Sequence, residues 1–514
     1  MKPAIVRGGA VIADARASDG GVVRDGGVLV RGDTIEAVGP FDSLAEQAPE
    51  AEVIGSERHL VMPGLINTHH HGWGLSTFQL GVPDDLLEPW LVEFYRGMRH
   101  LDPYLDTLWG DLRNIRSGVT SVLHAGFNRD ITEYTNDIHE KLRAHTDSGM
   151  RAAYALNIRD QNTFVYQDDD EFIGSLPPEL GERLTGVLAH ADPVSAPDGV
   201  FALLRELVGE YEGHGRLSIM LCPIAPQWCS DDLLKRIRRE VTDLGIFMHL
   251  HCLESPYQRE YGARVYGTGM VQHLEKLGFL DESVSLGHAV WLNDEEIRIC
   301  AATGTSVCHN PSSNLRLRVG ILPAPRLLEQ GVNLSMGIDG TGINDDEDMI
   351  QEMRLAAKLH RITTKLPPDP PPTSLDILRM ATANGAQTLG MQDKIGVLKP
   401  GHRADVVLVR TDNVMYPYLT PGTDPIDAVL YRARGADVDT VVIDGEVVLR
   451  DGKFTKVDED DIARRLAEVA SEPPSELHLE FSDALAQLRP HVDRFWAEWE
   501  QTPPKPYYLP NSSV

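Results

Sequence analysis

Val61-Met-Pro-Gly-Leu-Ile-Asn-Thr-His-His-His-Gly72 is the stretch on which the fold turns. An apolar run (Val61, Met62, Leu65, Ile66) leads into three consecutive histidines and then a glycine. If residues 65–71 form a strand, side chains alternate faces with a period of two, so His69 and His71 point one way and His70 the other. Two imidazoles one strand-step apart can share a metal ion, and Gly72 ends the strand. A His-x-His pair alone says little, because histidines meet at that spacing by chance. It gains weight from four further ligand-type residues at or near the ends of later predicted strands.

Those strands alternate with helical segments. Between about 61 and 395 the strand candidates are 65–71, 119–124, 151–158, 217–222, 246–251, 284–288, 306–309 and 333–338. Helix-period segments at 104–116, 132–146, 200–211, 231–244, 294–302 and 347–359 separate them, with Asp, Thr or Pro near several starts. Eight strands joined by helical crossovers are expected of an α/β protein of the (β/α)8 TIM-barrel type. Chemistry in such barrels sits at the C-terminal ends of the strands, where these histidines fall. The loop 159–192 is long, acidic and aromatic (Phe164, Tyr166, Phe172), a lid or a surface excursion.

Outside that span the character changes. Residues 1–60 read as short strands (4–7, 10–13, 27–31, 34–38) broken by Gly, Asp and Pro. Similar β-rich runs return within 396–455, so a small β-sandwich built from both chain ends, with the barrel (61–395) inserted in it, is the economical arrangement. Residues 456–514 read as two helices and a Pro-rich tail whose Trp496, Trp499 and Tyr507 suit packing on a neighbouring subunit. The run 366–372 reads as a stiff linker, and Gly340-Thr-Gly342 as a strand-end turn, since no P-loop lysine follows.

Composition bounds the function. Of 514 residues, 42% are hydrophobic and 24% charged, values of a soluble globular protein. The 48 basic and 77 acidic residues leave a net charge of −29, which argues against nucleic acid or anionic membrane as partners and leaves a small molecule. Five scattered cysteines with no Cys-x-x-Cys speak against a disulfide framework. No segment approaches the roughly 18 apolar residues of a membrane span, and the N-terminus lacks a signal-peptide core. A cytoplasmic location is the expectation.

The later strands supply the remaining ligand types. The fifth ends Phe247-Met-His-Leu-His-Cys-Leu-Glu254, so His249 or His251 could be a ligand. His251 is favoured, because Glu254 would then sit just above the metal. The sixth ends at His288 and the eighth at Asp339. Three neutral imidazoles and a carboxylate suit one divalent ion, Zn2+ first and Fe2+ as the alternative. One position is left for a water whose pKa the metal lowers. Asp339 can accept a proton from that water, Glu254 can pass protons to a substrate nitrogen, and His288 can ligate or polarise. His70 reads as a packed or supporting residue. His124 and His309, ending the second and seventh strands, could touch substrate or sit satisfied in the core. Trp73, Trp228, Trp291 and Tyr166 could line a pocket or simply pack, and Gln79 and Arg159 are candidate substrate contacts.

Pro63-Gly-Leu-Ile-Asn-Thr-His-His-His, His251-x-x-Glu254, Gly287-His288 and Gly337-Ile-Asp339-Gly, in this order and spacing, resemble the amidohydrolase superfamily. More narrowly, they are similar to its branch of S-adenosylhomocysteine and methylthioadenosine deaminases and s-triazine hydrolases. Ser306-Val-Cys-His-Asn-Pro-Ser-Ser-Asn314 and the closing Gly396-Val-Leu-Lys-Pro-Gly-His-Arg-Ala-Asp-Val-Val407 share the resemblance. It implies a mononuclear site in which His69, His71, His251 and Asp339 bind the metal, Glu254 and His288 are catalytic, and Asn314 lies near the substrate. Such relatives are commonly dimers or larger, so a homo-oligomer is expected. The predicted fourth strand ends Met220-Leu-Cys222-Pro without a lysine, unlike carboxylated-lysine binuclear centres. The expected activity is a metal-dependent hydrolysis releasing ammonia or an amine from a small, probably heterocyclic, nitrogenous substrate. Hydrolysis of a linear amide, urea or carbamate, or of a heteroaromatic C–Cl bond, is the alternative. A non-catalytic barrel scaffold is the alternative from another class.

Overall fold

A computed structural model describes residues 2–97, 101–128, 132–340, 346–361 and 370–499. Within these, the first four strands are β1 (Ala4–Ile12), β2 (Val22–Arg31), β3 (Thr34–Pro40) and β4 (Glu52–Pro63). The barrel follows as β5 (Leu65–His70), β6 (Val119–Ala125), β7 (Arg151–Ile158), β8 (Leu217–Pro223), β9 (Met248–Cys252), β10 (Val284–His288), β11 (Ser306–His309) and β12 (Leu334–Met336). The chain returns through β13 (Val406–Arg410), β14 (Val438–Ile443), β15 (Glu446–Arg450) and β16 (Lys453–Phe454).

β5 to β12 pair in sequence order as an eight-stranded sheet of parallel neighbours. Its two edges meet where the Asp339 N–H donates to the His69 carbonyl (2.8 Å) and His70 bridges Asp339. β6 is buried at every residue. Strands covered by core on one face and helices on the other read as continuous apolar runs for this reason. Between them, the helix Asp231–Leu244 shows how the crossovers form. The Ser230 hydroxyl accepts from the Leu233 N–H, Asp231 and Asp232 sit in the first turn, and Gly245 closes the helix at φ +64°. Its Leu233, Leu234, Ile237 and Val241 face the barrel core.

The β unit expected from both chain ends is one eight-stranded mixed sheet in the order β16-β15-β14-β13-β4-β1-β2-β3. β4 joins the two halves, parallel to β1 and antiparallel to β13. The runs 4–7 and 10–13, read as two strands, belong to a single β1. Gly8-Gly9 is a bulge in it and not a turn, because a Cβ on Gly9 would lie 2.4 Å from the Glu57 carbonyl oxygen. Val61 and Met62 belong to β4, so the barrel opens at Leu65.

After the mixed sheet come the helices Glu459–Ser471 and Glu476–Ala497. Trp496 and Trp499 pack against their own chain: Trp496 lies 4.9 Å from Tyr166 and 4.6 Å from Tyr257 between ring centroids. The 159–192 loop holds the helices Asp169–Gly174 and Pro178–Leu188, and Arg183 ties it to Asp483 (2.9 Å). Tyr507 with the Pro-rich tail, most of the 366–372 run, and Thr341 and Gly342 lie outside the described residues. All five cysteines are buried and free. Among the described residues, no helix is long and apolar enough to cross a membrane.

Candidate metal centre and active site

The C-terminal ends of β5, β9, β10 and β12 bring His69, His71, His251, His288 and Asp339 together. His69, His71 and Asp339 form one group of mutually close ligand atoms, and His69, His251 and His288 another. Asp339 Oδ1 is 3.1 Å from His69 Nε2 and 3.2 Å from His71 Nε2, while Oδ2 is 3.9 Å from His288 Nε2. Four non-glycine residues at these strand ends have left-handed backbones: Leu253 (φ 52°), His288 (65°), Ala289 (49°) and Asp339 (72°). Each such residue costs on the order of 1–3 kcal/mol, and such strain collects where side chains must be aimed.

Hydrogen bonds decide which ring nitrogens are free. A backbone carbonyl can only accept, so His71 Nδ1 carries a proton toward Ala125 (2.9 Å), and His251 Nδ1 one toward Ile224 (2.7 Å). Their Nε2 atoms are then bare lone pairs, facing each other at 3.4 Å. His69 is set by a chain. Ser285 Oγ donates to the Met248 carbonyl (3.5 Å) and accepts from His249 Nδ1 (2.7 Å), and His249 Nε2 accepts from His69 Nδ1 (2.7 Å). His69 Nε2 is thereby bare as well. Protons do not relieve this crowding of lone pairs. Burial, with His71 and His288 nearby, lowers His251 to about 3, and burial holds His69 well below its ordinary value. Burial alone would raise the Asp339 carboxyl, but His69, His71 and His288 outweigh it and keep it well below the usual range. Three imidazole Nε2 atoms and a buried carboxylate fit a divalent cation.

Of the two histidines left open on β9, His251 faces the centre and His249 lies beneath it, bonded to His69. His70 points away: it accepts from the Gly72 N–H (2.8 Å) and meets Glu347 (2.9 Å). Gly72 sits at φ +69°, and a Cβ there would come within 2.0 Å of His124 Cε1, so only glycine fits. His124 itself bonds His145 (2.9 Å), which bonds Asp111 (2.9 Å), beneath the site.

Above the centre is a cavity lined by His71, Trp73, Trp90, Phe94, Phe127, Trp228, His251, Glu254, His288, Leu317 and Asp339, among others. Glu254 Oε1 is 3.6 Å from His288 Nδ1. Burial, reinforced by Asp339 and Glu88, pushes the Glu254 carboxyl well above its ordinary value, toward the protonated form. His288 Nδ1 donates to Asn314 Oδ1 (2.9 Å), which turns its Nε2 lone pair toward Asp339.

Trp73 lines this cavity as expected. Four other candidates do not. Gln79 is exposed, its side chain folded back to accept from the Ser76 N–H (3.0 Å). His309 is fully buried against His360 (3.1 Å), because the strand period turns it outward. Asn314 stands behind His288, positioning it. Arg159 lines a second cavity further out. Sequence reasoning missed Ser313, whose hydroxyl donates to Asp339 Oδ2, and the wall residues Trp90, Phe94, Phe127 and Leu317. The only sequence signal for Ser313 was its place one residue before Asn314.

A family model described as "Amidohydrolase family" matches residues 60–448, and an "Imidazolonepropionase-like composite domain, bacteria" matches residues 26–51. A 5'-deoxyadenosine deaminase of Methanopyrus kandleri is 32% identical over 462 residues, 88% of this chain and 96% of that protein. A 5-methylthioadenosine/S-adenosylhomocysteine deaminase of Syntrophomonas wolfei is 33% identical over 435 residues, 82% of this chain and 90% of that protein. Among solved structures, an adenosine deaminase from Xanthomonas campestris with bound zinc aligns with a TM-score of 0.72 at 25% identity, covering 90% of this chain and 97% of that one.

Proposed function

The chain belongs to the amidohydrolase family, and on that premise we propose that it is a metal-dependent aminohydrolase. Its substrate is a nitrogen heterocycle with an amino group on an amidine-type carbon, and its product is ammonia. The observation that carries the reading is the convergence of the Nε2 atoms of His69, His71 and His251 and Oδ1 of Asp339 beside a buried carboxyl, Glu254, that burial raises above its ordinary value. Names of the relatives support it from a separate direction.

His69, His71, His251 and Asp339 would hold one divalent cation, Zn2+ first. When bound, it supplies the Lewis acidity that brings proton loss from water into the neutral range. Asp339 Oδ2, ionised and held by the Ser313 hydroxyl, takes the proton that water gives up on adding to the amino-bearing carbon. Glu254 gives its proton to the adjacent ring nitrogen, so that no negative charge builds up there. His288, fixed by Asn314, offers Nε2 to the attacking water and steers it. Asp339 passes the proton it took to the amino group, and as ammonia leaves, the hydroxyl on that carbon gives its proton to Glu254. A carbonyl remains on the ring, both carboxyl groups return to their starting forms, and one water is consumed per ammonia released. Trp73, Trp90 and Phe94 give the ring an apolar, aromatic slot from which bulk water is excluded.

The test is a panel of amino-heterocycles, linear amides and chlorinated triazines, followed for ammonia, amine and chloride. Ammonia from the heterocycles is expected. Glu254→Gln should keep about one metal ion per chain and lose on the order of 10²–10⁴-fold in kcat. Amine or chloride as the sole product, or turnover by Glu254→Gln at the unaltered rate, would overturn the assignment.

A further inference from the structure

A second cavity adjoins the metal pocket. The two share four walls, Leu91, Phe127, Ile224 and Trp228, so whatever sits over the metal has the outer chamber directly beside it. The far wall comes from the C-terminal helix Glu476–Ala497 through Phe481, Leu485, Leu488 and Trp496. The family match covers residues 60–448, so this wall lies outside it. The helix is held firmly in place. Leu485, Leu488 and Trp496 are buried, Trp496 stacks among Tyr166, Tyr257 and Trp499, and Arg489 pairs with Glu93 (3.1 Å) on the helix that also carries Leu91.

We propose that this outer chamber is a substrate subsite, and that the preferred substrate is an amino-heterocycle carrying an apolar alkyl or aryl arm with a hydrogen-bond acceptor in it. The inference rests on the aminohydrolase reading, because the heterocycle must occupy the inner pocket for its arm to reach the outer one. Two observations set the chemistry of the arm. The walls are predominantly carbon, with Glu88, Arg159 and His478 the ionisable groups among them, so they reward apolar surface. Trp496 supplies a specific exception. It is 4% exposed, it lines the chamber, and its indole N–H has no hydrogen-bond partner among the described residues. A buried donor without a partner is costly, and an ether or carbonyl oxygen in the arm would satisfy it. The C-terminal helix is accordingly a specificity element, which the barrel alone would lack.

The experiment uses the full chain reconstituted with Zn2+. Binding of 9-methyl-, 9-butyl- and 9-hexyladenine to Glu254→Gln is measured by calorimetry, and ammonia release from the same compounds is measured with the unaltered protein. Affinity should rise roughly fourfold for each methylene buried, from methyl through butyl. Leu485→Phe, which narrows the chamber, should cut the hexyl-to-methyl affinity ratio by about tenfold or more. Trp496→Phe keeps the aromatic packing and removes only the N–H, and it should weaken an ether-containing arm relative to the all-carbon arm of equal length. Equal affinity for methyl and hexyl arms, no binding at any arm length, or a Leu485→Phe effect that is the same factor for every arm overturns the subsite. If affinity follows arm length and no ammonia appears, the subsite stands and the proposed reaction falls. If ammonia is released with equal kcat/KM at every arm length, the reaction stands and the subsite falls.

Discussion

His249 is the residue whose replacement tests the metal centre most sharply. It is fully buried, and its ring lies between Ser285 Oγ and His69 Nδ1, each at 2.7 Å. His249→Phe keeps a ring of similar size and deletes both bonds, stranding the His69 N–H in the core. A buried donor left unpaired costs about 1–3 kcal/mol. Losing the partner that orients a metal-ligating histidine typically costs about 10–100-fold in metal affinity, or about 1.4–2.8 kcal/mol at 1.4 kcal/mol per tenfold. The two routes agree, so Zn2+ affinity should fall by about one to two orders of magnitude while the folded protein still takes up roughly one ion at saturation. Competition against a chelator of known affinity, read by elemental analysis, measures this. An affinity within about twofold of the unaltered protein would show that the bond to His69 does not orient it. Complete loss of binding, matching His69→Ala, would make His249 a ligand in its own right and refute the assignment of His251.

Glu352 is buried and its carboxyl is pushed up to about 8, chiefly by burial. The folded state therefore holds a proton that the unfolded chain releases near pH 4.5. Stability is greatest below that pH and falls as pH rises toward 8, with a slope of about 1.4 kcal/mol per pH unit for one proton. Glu352→Gln should remove close to one proton's worth of that slope between pH 5 and 8 in denaturant melts, and an unchanged slope would place the carboxyl in a wetter setting. Gly72→Ala meets both a left-handed φ of +69° and the His124 ring. It should lose roughly 3 kcal/mol or more of stability together with metal content, and a melting temperature within about one degree of the unaltered protein would contradict the packing described.

Much of this centre could be read from local pattern. The period of a strand places His69 and His71 on one face whatever surrounds them, and it pairs His249 with His251 without choosing between them. That choice depends on which imidazole finds a backbone carbonyl and which finds another histidine. The Ile224 carbonyl holds His251, whereas His69 and Ser285 hold His249, and all three partners come from other strands. The same limit explains His309, which ends its strand as the ligands do but faces helix-borne His360. Gln79 shows a different failure, since a polar residue soon after a metal motif suggests substrate while its turn takes it to the surface.

By itself the sequence determined the barrel, a β unit drawn from both chain ends, and the residue types gathered at the strand tips. Hydrophobic period and strand-end residues are local properties and survive without knowledge of distant partners. Tertiary structure alone decided three things: which nitrogen of each histidine is bare, that burial raises the Glu254 carboxyl, and that the last long helix closes an apolar chamber beside the metal pocket. Each of these follows from burial and from contacts between segments far apart in the chain, and no window of neighbouring residues contains that information.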